Sequence, residues 1–220
     1  MALTIANASW FSDATATAPE TFGLMMVRAD PHGWRLDRAT QLAAVSDALA
    51  DGISVADNLR ALFPDLPPDR IAHELGLRVE TADDDPMAGS IWRFAEYRPQ
   101  PPRIVLYSQG LGLLERSLGG SRAAHLLGRA TSRNVFIAHE LYHHVEATRS
   151  DVPIARRYRA SLFRIGSWHW RTGIAALAEI AAGAFAQSLL DLPCHPKALD
   201  LVILDAIAAT KRAGNQTAAV

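Results

Sequence analysis

Of the 220 residues only one, Cys194, is a cysteine. No intrachain disulfide framework can form, and a reducing compartment suits the chain. Charge of one sign is also missing, since 22 basic groups face 23 acidic ones for a net charge of −1. That argues against the basic excess by which generic nucleic-acid binders hold phosphates. The N-terminus, MALTIANASWFSDATATAPE, has neither the basic start nor the continuous apolar stretch of a secretory signal. A charge-free apolar run is lacking too. The nearest candidate, residues 174–192, owes its apolarity to alanine and carries Glu179 and Gln187. A carboxylate near the centre of a membrane span costs about 2.5–3.5 kcal/mol, so the segment reads as a helix buried in protein. The expectation is a soluble cytoplasmic protein with neither a membrane nor a nucleic acid as partner.

What is present is apolar mass. At 49% hydrophobic residues, the chain can bury a sizeable core, and its length suits one large domain or one domain with an appendage. The first thirty or so residues show no clear period and either wrap the domain or stay loose. Residues 36–50 and 55–63 carry apolar positions at helical spacing. A third helix, near residues 69–75, has Gly76 as its stop. Residues 78–81, 90–97 and 103–107 have strand content, separated by the turn-rich DDDPMAG and RPQPP, and predict a small antiparallel sheet. Helices follow at 121–148, broken near Gly128 or Ser132, at 172–190 and at 196–211. Sheet first and helices afterwards is an α+β order.

The arginines are unevenly placed. Ten fall between Arg116 and Arg171, against Glu140, Glu146 and Asp151. A solvated helical face accounts for them; if the patch is functional, it awaits an anionic substrate or an acidic partner segment.

The motif that carries chemistry is His139-Glu140-Leu141-Tyr142-His143, an HExxH. On a helix its two histidines lie about 40° apart and one turn along. Neutral imidazoles so placed converge on one divalent ion at about 2.0–2.1 Å. Glu140 points to the adjoining side, where it reaches an activated water rather than the metal. Eight histidines in 220 residues make about 0.01 chance occurrences of this pattern. The apolar run Val135-Phe136-Ile137-Ala138 places it on a buried helix, where unpartnered polar groups would be costly.

Two histidines and a water leave a zinc site one protein ligand short. Glu179 is the candidate, the single polar residue on a stripe of Ala175, Ala176, Ala182, Gly183 and Ala186 that lets another helix approach closely. The competing explanation is an ion pair with an arginine. Glu146, a turn beyond His143, reads as a neighbour of the ligands, and His144 points away from them. Cys194 and His195 are adjacent, but a lone cysteine after proline is ordinarily packing. Three residues, Tyr107, Tyr158 and His169, are open as donors to a developing oxyanion. The arginine- and aromatic-rich segment 149–170 reads as a rim or lid over the cleft, or else as a plain helical connector.

These residues resemble a known family. A helix ending Leu75-Gly76, short strands, HExxH and a downstream glutamate helix are the order of the ImmA/IrrE-type zinc metallopeptidases, of the glutamate-zincin group. The likeness runs over residues 69–193. The family's closing pattern is Glu, five residues, Phe-Ala, two residues, Leu-Leu and Pro. It is matched by Glu179, Phe185-Ala186, Leu189-Leu190 and Pro193, with Asp191-Leu192 as one residue extra. Tyr142 stands where the family commonly has glycine, and Gly183 where a polar residue is frequent.

The resemblance implies one zincin-like domain over 36–220, preceded by an extension of residues 1–35. It makes His139, His143 and Glu179 the ligands of Zn2+ or another divalent metal, and Glu140 the general base. Family members are associated with cleaving transcriptional repressors, so the partner would be a peptide or protein substrate. The alternative function is a non-catalytic, metal-stabilised regulatory binding module, which has no need of Glu140. A DNA-binding reading of residues 36–75 fails on charge, since acidic groups outnumber basic ones there.

Overall fold

The computed structural model describes residues 16–84, 87–88, 91–119 and 125–204, with the side chains of 87–92 left aside. The architecture is α+β and mainly helical. A first helix, α1 (Pro19–Ala29), and a 3-10 turn at Gly33–Arg35 lead into α2 (Arg38–Leu62). The sequence suggests two helices here, because Gly52-Ile53-Ser54 weakens the pattern. The structure has one continuous helix of 25 residues. Asp37 starts it, its carboxylate accepting the Thr40 N–H at 2.8 Å, the usual service of an aspartate before a first turn. Ala44, Ala48, Gly52 and Ala56 recur every four residues and form one buried stripe.

Helix α3 (Pro68–Glu74) ends where expected, at Gly76 with φ +79°, a conformation that glycine adopts without a Cβ penalty. Five strands follow: β1 (Arg78–Ala82), β2 (Met87–Ala88), β3 (Ile91–Trp92), β4 (Ala95–Pro99) and β5 (Pro102–Tyr107). β2 and β3 form a small hairpin of their own. The main sheet has the order β1-β5-β4, and it is mixed rather than purely antiparallel. β5 pairs parallel with β1 and antiparallel with β4. Its residues Ile104 to Tyr107 are all buried, as befits a central strand.

Helix α4 (Ser108–Leu118) is unforeseen by the sequence reading. Residues 125–127 are helical, Gly128 turns the chain at φ +56°, and α5 begins at Ser132, so the break expected near Gly128 or Ser132 is present. α5 (Ser132–Thr148) is capped by Thr131, whose hydroxyl accepts the Asn134 N–H. The short α6 (Ile154–Arg157) leads into a hairpin of β6 (Arg159–Ile165) and β7 (Trp168–Gly173). Strand takes the first two residues of the helix expected at 172–190, which starts at Ala176. A long helix, α7 (Ala176–Leu190), comes after the hairpin, and residues 198–204 are helical again. The remainder of the helix expected at 196–211 lies outside the described residues.

α7 is the axis of the core. It lies against α2 on one side and α5 on another, with Leu177, Ile180 and Phe185 wholly buried. Burying each such side chain is worth about 1.5–3 kcal/mol. The α2 stripe sets the separation: a Cβ on Gly52 would fall 2.1 Å from the Ala181 carbonyl oxygen. The described part of the first 35 residues wraps the domain. Phe22 and Val27 are buried. Asp30 accepts the N–H groups of His32 and Gly33 through Oδ1 and that of Ala176 through Oδ2, at 3.0 Å. The carboxylate thus starts α7, whose own preceding residue, Ala175, offers no capping side chain.

Candidate metal centre

Ile137, Ala138 and Leu141 bury one side of α5 and hold it against the sheet and α7. The next positions round the helix, His139 and His143, then face α7. Their rings stand 5.1 Å apart at 71°. Glu179, in the first turn of α7, answers both: Oε2 is 3.2 Å from His139 Nε2 and Oε1 is 3.5 Å from His143 Nε2. The donor atoms of the three residues all lie within 4.8 Å of one another. Ligands about 2.0–2.1 Å from one tetrahedral ion are spaced roughly 3.3 Å apart, a separation at which each histidine already meets one of the two carboxylate oxygens. Among the described residues, Glu179 makes its ion pairs with these histidines and with no arginine.

The electrostatics are those of groups held close together. Burial works against a charged His139, but the hydrogen bond and charge of Glu179 outweigh it and raise its pKa. His143 falls to about 4 through burial and the neighbouring charge of His139. Burial alone would raise Glu179, yet the two histidines hold it down to about 2. By area its side chain is half exposed, because it opens onto the cleft.

Glu140 is buried beside the trio but outside it. Its Oε2 accepts the backbone N–H of Tyr97, on β4, at 2.7 Å. Burial raises its pKa, against the opposing pull of His139 and the Tyr97 N–H. A carboxylate so shifted is a better proton acceptor than a solvated one. The cleft it shares with His139 and Glu179 has a volume of about 230 Å³, with Met26 and the stacked Phe94 and Phe136 as apolar walls.

His195 is the residue that the sequence reading undervalued. It is only 2% exposed and lines the same cleft. Its Nδ1 accepts the Lys197 N–H at 3.1 Å. The neutral ring therefore carries its proton on Nε2, which is buried away from solvent. Burial, with the charges of His139 and Lys197, lowers its pKa to about 4, against a contrary pull from the Ile180 carbonyl. Gly183 makes room for it, since a Cβ there would sit 2.4 Å from the ring. That glycine, opposite a histidine set between prolines, was the available signal.

The other candidates fall elsewhere. Glu146 accepts the Ile154 N–H at 2.9 Å and belongs to no ligand group. His144 is buried with Nδ1 3.1 Å from the Tyr97 hydroxyl, and burial lowers its pKa. Cys194 is buried, its thiol pushed up to about 11. Of the three open donors, Tyr107 donates to Glu96 and Tyr158 to Asp47, while His169 stands exposed on the β6–β7 hairpin. None of the three lines the cleft, nor does any residue of that hairpin.

Behind the motif, Tyr142 donates its hydroxyl to Asp51 of α2 at 2.7 Å, and Arg149 and Arg157 close on the same carboxylate. This brace ties the ligand helix to α2. Comparison of the chain with protein-family models, with curated proteins and with solved structures finds no match. No helix among the described residues is long and apolar enough to cross a membrane.

Proposed function

We propose that the chain is a zinc-dependent peptidase of the glutamate-zincin kind, acting in the cytoplasm on a peptide or protein substrate. The observation that carries this reading is the pairing of a three-donor cluster with a buried carboxylate that belongs to no part of it. His139, His143 and Glu179 are the residues to hold the ion, with imidazole and carboxylate donors that suit zinc and admit other divalent metals. When bound, such an ion polarises a carbonyl and makes water easier to deprotonate.

The remaining work falls to the chain. Glu140 takes the proton of the attacking water, oriented by the Tyr97 N–H that binds one of its oxygens. The other oxygen is left for that task. His195 walls the cleft as a buried, neutral ring whose Nε2 is shut off from solvent. Phe94, Phe136 and Met26 receive an apolar substrate side chain and keep water from it. The resemblance to ImmA/IrrE-type peptidases supports a regulatory protein as the substrate.

The test is Glu140→Gln. The amide keeps the size of the side chain but is no proton acceptor of comparable strength. The variant should fold and retain its zinc at wild-type stoichiometry. Hydrolysis of denatured casein or of a broad peptide library should fall about 10²–10⁴-fold. Equal rates at equal metal occupancy would refute the mechanism. A zinc-loaded wild type that cleaves nothing across the library would favour the binding module.

A further inference from the structure

The β6–β7 hairpin has two unlike faces. Its cross-strand pairs are Phe163 with Trp170, Arg164 with His169, and Ile165 with Trp168. Paired residues project to the same side, and sides alternate along a strand. Phe163, Ile165, Trp168 and Trp170 therefore share one face, and Arg164, His169 and Arg171 share the other. The four apolar side chains are 52–78% exposed, and only Phe163 and Trp170 find each other, stacked at 5.8 Å. Together they present on the order of 400–600 Å² of apolar surface, at the upper end for a monomer.

Charge says what such a surface meets. From Arg159 to Gly173 there are three arginines and one histidine but no acidic residue. Among the described residues, no carboxylate pairs with Arg159, Arg164 or Arg171. The partner is therefore anionic and also offers an apolar phase. A single-stranded nucleic acid is anionic, but its bases would stack on one face while the arginines stand on the other. A second copy of the chain would meet like charge, and the patch falls short of the roughly 800 Å² per partner that a stable interface buries.

We propose that the β6–β7 hairpin docks the protein on an anionic lipid bilayer. The Ile165–Trp168 tip enters the interfacial zone, where tryptophan is at home, and Phe163 and Trp170 follow it. The arginines lie at the depth of the headgroup phosphates, each contributing roughly five-fold in affinity at low salt. No span is required; the surface contact is a proposal set against the sequence-based expectation of no membrane partner. The inference stands apart from the peptidase reading, because no hairpin residue reaches the cleft.

The experiment uses the purified full chain with vesicles of phosphatidylglycerol and phosphatidylcholine, against phosphatidylcholine alone. Co-sedimentation should occur with the anionic vesicles only and weaken as salt is added. Trp168→Ser with Ile165→Ser should lower binding at least ten-fold and abolish quenching of tryptophan fluorescence by brominated lipid. Arg164→Glu with Arg171→Glu should lower it more than twenty-fold. Because these side chains are largely exposed, zinc content and melting should stay at wild-type values. The proposal is overturned by absence of binding to anionic vesicles, by equal binding to neutral ones, or by serine variants that bind as well as wild type. Tip-dependent dimerisation without lipid binding would assign the face to a second copy. Tip-dependent binding of single-stranded RNA without lipid binding would assign it to nucleic acid.

Discussion

The α5–α7 helix pair and the β6–β7 hairpin adjoin in sequence and treat water in opposite ways. In the helix pair, small residues draw backbones together and the polar groups answer one another across the gap. In the hairpin, large apolar side chains face solvent and the cations have no counter-charge among the described residues. The first arrangement gathers three donor atoms of different chemistry within 4.8 Å of one another. The second is complete only against something outside the chain. Unfinished polarity inside a core thus marks a site for something small, and unfinished apolarity outside it marks a surface for something large.

That contrast can be broken most directly at Glu179. Glu179→Ala should lower zinc affinity by more than about 100-fold, since loss of an indirect supporting group already costs about 10–100-fold. Helical content should persist, because the side chain opens onto the cleft. Metal analysis after dialysis decides it, and unchanged zinc would dissolve the ligand set. The next effect concerns the close approach behind the site. Gly52→Ala drives a Cβ into the Ala181 carbonyl and should destabilise by about 3 kcal/mol, the upper part of the overpacking range. A wild-type midpoint in a urea titration would mean that α2 and α7 are free to separate.

The smallest effect tests the brace on α5. Burial works against ionisation of Asp51, but hydrogen bonds from Tyr142 and Arg149 prevail and hold its pKa below the ordinary 3.8. The folded state thus binds its proton less readily than the unfolded one. The resulting stability is fully present above pH 4 and drains away as pH falls through the folded pKa. Asp51→Asn should cost about 2 kcal/mol at neutral pH, as expected for hydrogen bonds to a charged group. It should also flatten the acid limb of the melting-temperature profile between pH 5 and pH 2. Parallel acid limbs in the two proteins would remove Asp51 from the account.

What the sequence reveals depends on how local each signal is. HExxH lies within one turn, so the histidines and Glu140 were legible from spacing. Glu179 was legible because a lone carboxylate interrupts a small-residue stripe. His195 was not, since the backbone N–H that fixes its tautomer and the glycine that admits its ring come together only in the fold. Gly110 and Gly112 hid α4. Gly110 is there for packing, as a Cβ would lie 2.5 Å from the Arg93 carbonyl oxygen. The same confusion split α2 at Gly52. The hairpin was hidden by the irregularity between Ser161 and Phe163, which breaks its alternation, and by arginines that suit a helix equally well. Two departures from the family's pattern acquire a physical reason: Tyr142 reaches Asp51, and Gly183 yields to His195.

The carboxylate of Asp30 gives the site a history as well as a shape. Its bond to the start of α7 spans 146 residues of chain. His139 and His143 become neighbours as soon as one turn of helix forms, whereas Glu179 waits on a contact between distant parts of the polypeptide. Closures of that range come late in folding, because the entropy of a long loop must be overcome before the contact can repay it. On a ribosome, Asp30 emerges long before the helix it starts. The cluster is therefore assembled in order, two donors early and the third last, and the three stand together only once the opening segment has folded back.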